Sequence, residues 1–225
     1  MIVILGIYFS GTGNTKHCVE TFVKQFDENC TAISIEDPHI TRQISMHDML
    51  VFGYPIYFSN IPKIVQDFIN NNKAYFEHKQ VFIIATMALF SGDGSGFAAR
   101  LFKKHHAKVI GGLHLKMPDC IGDEKPLKRT TEVNRNQIKH SNQKIALAVR
   151  NLKEGKPPKE GLNFFCHIAG LLGQRLWFTG KLPHIRRNLM SMENVGLEPV
   201  LHASVIYVSD APDTIISYLA WLIKG

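Results

Sequence analysis

Apolar positions in the first 155 residues alternate between short unbroken runs and longer stretches with helical spacing. Ile2, Val3, Ile4, Leu5, Ile7 and Tyr8 form the first run, rich in β-branched residues, the pattern of a strand buried on both faces. Val19, Phe22, Val23 and Phe26 then share one face of a helix. Thr31 to Ile35 predicts a second strand and Met49 to Gly53 a third. Ile61 to Asn71 reads as a helix, with Pro62 at its start where a missing N–H costs nothing. Gln80 to Thr86 is a fourth buried strand, Phe97 to His106 a helix, Lys108 to Met117 a fifth strand, and Thr131 to Glu154 a final helix. Strands alternating with helices predict an α/β fold with a doubly wound parallel sheet.

The junction after the first run carries the chemistry. Phe9 to Thr15 reads Phe-Ser-Gly-Thr-Gly-Asn-Thr and leads straight into a helix. A strand, a Gly/Ser/Thr loop and a helix N-terminus make an anion site, because unpaired N–H groups and the positive end of the helix dipole converge there. Ser10, Thr12 and Thr15 add hydroxyl donors, while Gly11 and Gly13 allow close backbone approach. No Gly-Lys-Ser/Thr ending follows, which excludes the nucleoside-triphosphate loop. The three-glycine dinucleotide fingerprint is missing as well. Neutral hydroxyl donors without a basic side chain suit a terminal monoester phosphate.

Ser10, Gly11, Thr12, Gly13, Asn14 and Thr15 fit at every fixed position the Ser/Thr-x-Thr-Gly-x-Thr signature of the flavodoxin family, which the first 155 residues resemble. The resemblance implies a flavodoxin-like five-stranded parallel sheet in the order 2-1-3-4-5, with FMN at the carboxyl ends of strands one, three and four. In that family the loops after strands three and four hold the flavin ring, often between aromatic side chains. By position the first loop is Pro55, Ile56, Tyr57 and Phe58, and the second contains Phe90. Backbone groups around Thr86, Met87 and Gly92 to Gly94 would meet the pyrimidine edge, and Asp119 lies in the loop after strand five. Tyr-Pro-Ile-Tyr at residues 54–57 and the Met117-Pro118 pair look specifically like the flavodoxin half of flavodoxin–ferredoxin fusion proteins.

Three departures qualify that likeness. Many flavodoxins place a glycine in the first flavin loop to stabilise the one-electron-reduced ring, and none occurs between Tyr54 and Ile61. Two-electron chemistry becomes more plausible. Cys18, Cys30, Cys120 and Cys166 lack the Cys-x₂-Cys spacing of an iron–sulfur domain, so electrons would come from a separate donor. Charge is the third. Residues 1–124 hold 11 basic and 12 acidic side chains, but residues 125–190 hold 14 against 3. Flavodoxins are typically acidic around the ring; here Asp93, Asp119, Asp123 and Glu124 are the nearest acids. A basic segment close to the flavin would ease its second reduction.

Such a segment calls for an anionic partner: an acidic redox protein such as a ferredoxin, or lipid headgroups. Nucleic acid is the weakest candidate and is not expected, for there is no recognisable binding module and little aromatic interleaving among the Lys/Arg positions. Leu162 to Phe178, with Lys181, Arg186 and Arg187 beyond it, has the composition of an interfacial helix and is too short and polar to cross a bilayer. The bland reading, a helix packed on the domain or on a second subunit of a homodimer, is preferred. The expected domains are therefore 1–155, with Lys156 to Lys159 as a linker, and a basic, mainly helical extension over 156–225. The second apolar patch of that extension is Ile215 to Ile223.

Few scattered cysteines, and a first strand that opens at Met1 with no room for a targeting segment, fit a reducing cytoplasm. Cys18 is expected in the core and Cys120 near the flavin; the eleven histidines show no metal-ligand spacing. No side chain stands out as a general acid or base. The sequence thus points to an FMN oxidoreductase. Its electrons would pass from a nicotinamide or ferredoxin donor to a small acceptor such as a quinone, with the cofactor carrying the chemistry. A non-enzymatic flavodoxin shuttle is the alternative.

Overall fold

A computed structural model describes residues 3–56, 61–88, 94–118 and 130–162. The expected ring-loop residues Tyr57, Phe58, Phe90 and Gly92, together with Asp119, Cys120 and the apolar patches beyond Leu162, lie outside the described residues.

Five strands, β1 (Ile4–Tyr8), β2 (Thr31–Ser34), β3 (Met49–Pro55), β4 (Gln80–Met87) and β5 (Lys108–Lys116), form one parallel sheet in the order β2-β1-β3-β4-β5. This is the flavodoxin-like order expected from the sequence. The helices are α1 (Asn14–Phe26), α2 (Ile40–Ser45), α3 (Lys63–Asn71), α4 (Lys73–Phe76), α5 (Gly94–Lys104) and α6 (Thr131–Lys153).

Burial on both faces explains the unbroken apolar runs. Leu50, Phe52 and Tyr54 of β3 and Val81, Ile83 and Ala85 of β4 point into a core that α2 to α5 cover. Met49, Val51, Phe82 and Ile84 point the other way, under α1 and α6. The two-residue period of each strand is present but hidden, since both of its phases are apolar. Phe52 centres the first core, with Tyr54, Phe68, Phe76 and Phe102 around it at ring separations of 5.1–6.4 Å. On the second face Phe22 stacks on Phe82 at 4.9 Å.

Several boundaries move for physical reasons. β3 runs on through Pro55, whose missing N–H is tolerated at a strand end. Helix α5 begins at Gly94, three residues before the expected Phe97, because the buried Gly94, Ser95 and Gly96 pack where larger side chains would not. Helices α2 and α4 have only six and four residues, too short to show a period. Helix α6 is capped as its sequence suggests. Thr130 Oγ1 accepts from the Val133 N–H, Glu132 lies in the first turn, and Arg150 and Lys153 lie in the last.

The chain after α6 does not run free. Lys156 N–H donates to Asn151 O and Gly155 N–H to Leu152 O, a Schellman ending that turns the chain back. Residues read as a linker then run along the open side of β5: Gly112 N–H donates to Pro158 O and Glu160 N–H to Gly112 O. Leu162 packs against the first core.

Helix α1 lies tightly on β1 and β3. A Cβ on Gly53 would enter the van der Waals shell of Val19 Cγ2 and come within 3.1 Å of Thr15 Cγ2. Val19 is β-branched and held in the core, so it cannot swing away cheaply. Gly53→Ala is therefore expected to destabilise the fold by about 1–3 kcal/mol through overpacking, seen as a lower urea midpoint with an unchanged slope.

Candidate functional site

The strand order reverses between β1 and β3, so the chain leaves their carboxyl ends in opposite directions and opens a crevice there. The loop of residues 9–13 sits in it. Phe9 N–H donates to Gly53 O, anchoring the start of the loop on β3. Ser10 Oγ accepts from the Gly13 N–H at 3.1 Å, which folds the loop on itself. Gly13 takes φ +88°, a left-handed conformation that a side chain would oppose. It occupies the cap position of α1, with no side-chain cap and no acid in the first turn.

Gly11, Thr12 and Gly13 are exposed, while Ser10 and Asn14 are half-buried. Among the described residues, the backbone N–H groups of Gly11, Thr12, Thr15 and Lys16 meet no acceptor. Asn14 is committed elsewhere: its Nδ2 donates to Pro118 O at 2.8 Å, tying the start of α1 to the exit of β5. Thr15 is buried, and its hydroxyl lies 2.8 Å from that of Thr86, at the end of β4.

Of the expected ring-binding positions, Pro55, Ile56, Thr86, Met87 and Gly94 are described. Pro55 pairs with Thr86 in the β3–β4 ladder. Ile56 N–H donates to Thr86 O at 2.8 Å, and the Ile56 side chain packs onto Gly94 at the start of α5. Met87 O accepts from Met117 N–H. Any ligand edge reaching the carbonyls of Thr86 and Met87 shares them with these sheet bonds. Tyr54 is fully buried and donates from its hydroxyl to Gly94 O at 2.6 Å, fixing the start of α5 against β3. The structure thus brings Ser10 to Thr15, Pro55, Ile56, Thr86 and Met87 to one end of the sheet.

A second polar cluster, not foreseen from the sequence, lies at the β5 side. Ser95 Oγ donates to Glu160 O at 2.6 Å and lies 2.7 Å from His114 Nε2. The Ser95 backbone N–H also points at Nε2, at 3.3 Å, so the hydroxyl contact does not by itself fix the His114 tautomer. The Glu160 carboxylate accepts from the His114 backbone N–H at 2.8 Å and from Lys144 Nζ at 2.7 Å, and Lys144 also reaches His114 O. Despite its composition this is not a nucleophile–base pair. Ser95 is fully buried, its proton points at a carbonyl, and Gly161 packs directly over both side chains. The cluster clamps the returning segment onto β5 and α5. One signal was visible: His114 interrupts an otherwise apolar strand.

Burial pushes the His114 imidazole down to about 4, with Glu160 opposing and Lys144 reinforcing the shift. Cys18, buried on α1 as expected, has its thiol pushed up to about 12 by the same desolvation, which makes it an inert core residue. No group of three potential metal ligands occurs among the described residues. No described helix is long and apolar enough to cross a membrane.

Residues 5–111 match the flavodoxin-domain family model, from β1 to the middle of β5. No curated protein sequence matches the chain. Solved structures that resemble it include a flavodoxin from the domain Archaea, at 12% identity and a TM-score of 0.49. That alignment covers 68% of this chain and 99% of the other. A Megasphaera elsdenii flavodoxin in its two-electron-reduced form aligns at 19% identity and a TM-score of 0.46, over 65% and 100%. A Fusobacterium nucleatum flavodoxin bound to flavin mononucleotide aligns at 14% identity and a TM-score of 0.48, over 68% and 98%.

Because His114 is held neutral in the fold but titrates near 6.5 when unfolded, the unfolded chain binds more protons between pH 6.5 and 4. Its contribution is complete above 6.5 and is lost as pH falls toward 4, up to about 3 kcal/mol. Urea denaturation across this range should show that loss, and His114→Gln should remove its share of the pH dependence.

Proposed function

We propose that residues 1–155 form an FMN-binding, flavodoxin-type redox domain, and that the chain transfers electrons from a separate donor to a small acceptor. The observation that carries this reading is the donor set at the sheet's switch point. N–H groups of Gly11, Thr12, Thr15 and Lys16 that meet no acceptor among the described residues combine with the hydroxyls of Ser10 and Thr12 at the positive end of α1. Nothing on the first turn of α1 neutralises that end. Such a site suits a dianionic ester phosphate bound by many neutral donors, which is the phosphate of FMN rather than a metal-linked triphosphate. The family match over residues 5–111 supports the same reading.

In this scheme residues 10–15 hold the phosphate, and the loops that begin at Ile56 and after Met87 hold the ring. Tyr57, Phe58 and Phe90 are the aromatic candidates, and Gly92 and Asp119 the further cofactor-binding candidates that the family resemblance implies. FMN, when bound, supplies one- or two-electron transfer. The chain's own share is structural. Ser10 shapes the loop by accepting from Gly13, and Asn14 anchors it to the β5 exit. Ile56 is held on β4 by the Thr86 carbonyl, so the ring loop leaves the sheet from a fixed point.

We further propose an oxidoreductase with a nicotinamide or an acidic, ferredoxin-like protein as donor and a quinone-like acceptor. The absence of a glycine between Tyr54 and Ile61 favours two-electron chemistry, and the basic excess over residues 125–190 favours an anionic partner.

The test is an absorption spectrum of the purified protein, taken after FMN addition and desalting and again during stepwise anaerobic reduction. Flavin bands that survive desalting are expected, with reduction in a single two-electron stage. Two resolved one-electron stages would indicate a shuttle instead. A protein that stays colourless would overturn the flavin reading altogether.

A further inference from the structure

The buried contact between Thr15 and Thr86 joins two elements that meet only at the end of the sheet. Thr15 is the second residue of α1, and its methyl group faces Gly53 of β3. Its hydroxyl therefore faces β4, where Thr86 Oγ1 waits at 2.8 Å. Both side chains are buried, at 1% and 3% exposure, so water cannot satisfy them freely.

A hydroxyl carries one proton and two lone pairs. A pair of hydroxyls in contact uses one proton between them and leaves the other over. Among the described residues neither oxygen has a second partner, so one buried proton is left without an acceptor. If Thr15 donates, the surplus proton sits on Thr86, inside the sheet end. If Thr86 donates, it sits on Thr15, in the first turn of α1, beside the free N–H groups of the loop. An anion at that turn selects the second arrangement, because it supplies the missing acceptor and each bond then strengthens the next.

We propose that Thr86 is a positioning residue for the phosphate site. It donates to Thr15 Oγ1, locks that side chain's rotamer, and turns the Thr15 proton toward the ester phosphate. This rests on the FMN reading and assigns to the Thr86 side chain a role beyond the backbone contact that the family resemblance implies. The Thr86 hydroxyl does not touch the phosphate; it acts through Thr15. The position of Thr86 in the β3–β4–β5 ladder, opposite Pro55 and Leu115, makes it a fixed reference for the helix that packs on the face its side chain points to.

The experiment compares FMN and riboflavin, which differ by the phosphate alone, as ligands of the full chain. Their affinities are measured by flavin fluorescence on wild type, Thr86→Val, Thr86→Ser, Thr15→Val and the Thr15→Val/Thr86→Val double variant. Thermal midpoints of the flavin-free proteins are measured alongside, to show that each variant folds. Thr86→Val is expected to weaken FMN about tenfold, the cost of one misdirected hydrogen bond to a charged group, and to leave riboflavin unchanged. Thr86→Ser, which keeps the hydroxyl, should restore FMN binding. The double variant should be no weaker than Thr15→Val, since Thr86 works only through Thr15. Equal losses for FMN and riboflavin, no loss for either, or additive losses in the double variant would each overturn the proposal. Should Thr86→Val not fold, an unrescued FMN loss in Thr86→Ser, with riboflavin binding also reduced, would do so too. Failure of wild type to bind either flavin is a separate result: it removes the FMN reading, and this proposal with it.

Discussion

A parallel sheet buried on both faces is the constraint from which the rest of this structure follows. Parallel neighbours cannot be joined by a tight turn, so each connection must cross over the sheet, and each crossover helix covers one face. With β1 and β3 adjacent and β2 outside them, the chain crosses on one side through α1 and on the other through α3. The two crossovers diverge at the carboxyl ends of β1 and β3, leaving a crevice that no side chain has to carve out. The glycine-rich loop occupies it because it is the first connection in the chain. Its orphan N–H groups are a by-product of starting a helix there.

Close packing makes that end of the sheet rigid. Helix α1 rests on Gly53 with no space for a methyl group, and its first turn is tied to Pro118 by Asn14 and to β4 by Thr15. Tyr54 and Ile56 fix the start of α5 from β3. The described groups at that end, in the loop of residues 10–15 and at the exits of β3 and β4, are therefore carried on elements anchored to at least two strands. Binding at such a site spends little free energy on ordering the protein. The second polar cluster serves the opposite edge. Lys144, Glu160, His114 and Ser95 bind the chain after α6 onto β5, where an open strand edge would otherwise expose unpaired backbone groups. Its cost is a buried imidazole that must stay neutral.

The sequence by itself determined the strand set, the helix periods and the phosphate-type loop, because each is local. A buried strand announces itself within five to nine residues, and Ser10 to Thr15 are contiguous. Even the strand order followed, once the loop motif had indicated the family it resembles. What escaped was whatever depends on residues distant along the chain. Thr15 and Thr86 are 71 positions apart, and nothing near either one marks it as the other's partner. Glu160 sits in a stretch that reads as a polar linker, and only the Schellman turn at Gly155 brings it back over His114. Which face of the sheet each helix covers was also unreadable, since both phases of every central strand are apolar. Local spacing fixes the elements and their chemistry. The pairing of buried hydroxyls, carboxylates and imidazoles is settled only when tertiary contacts exclude water and leave each group a single set of partners.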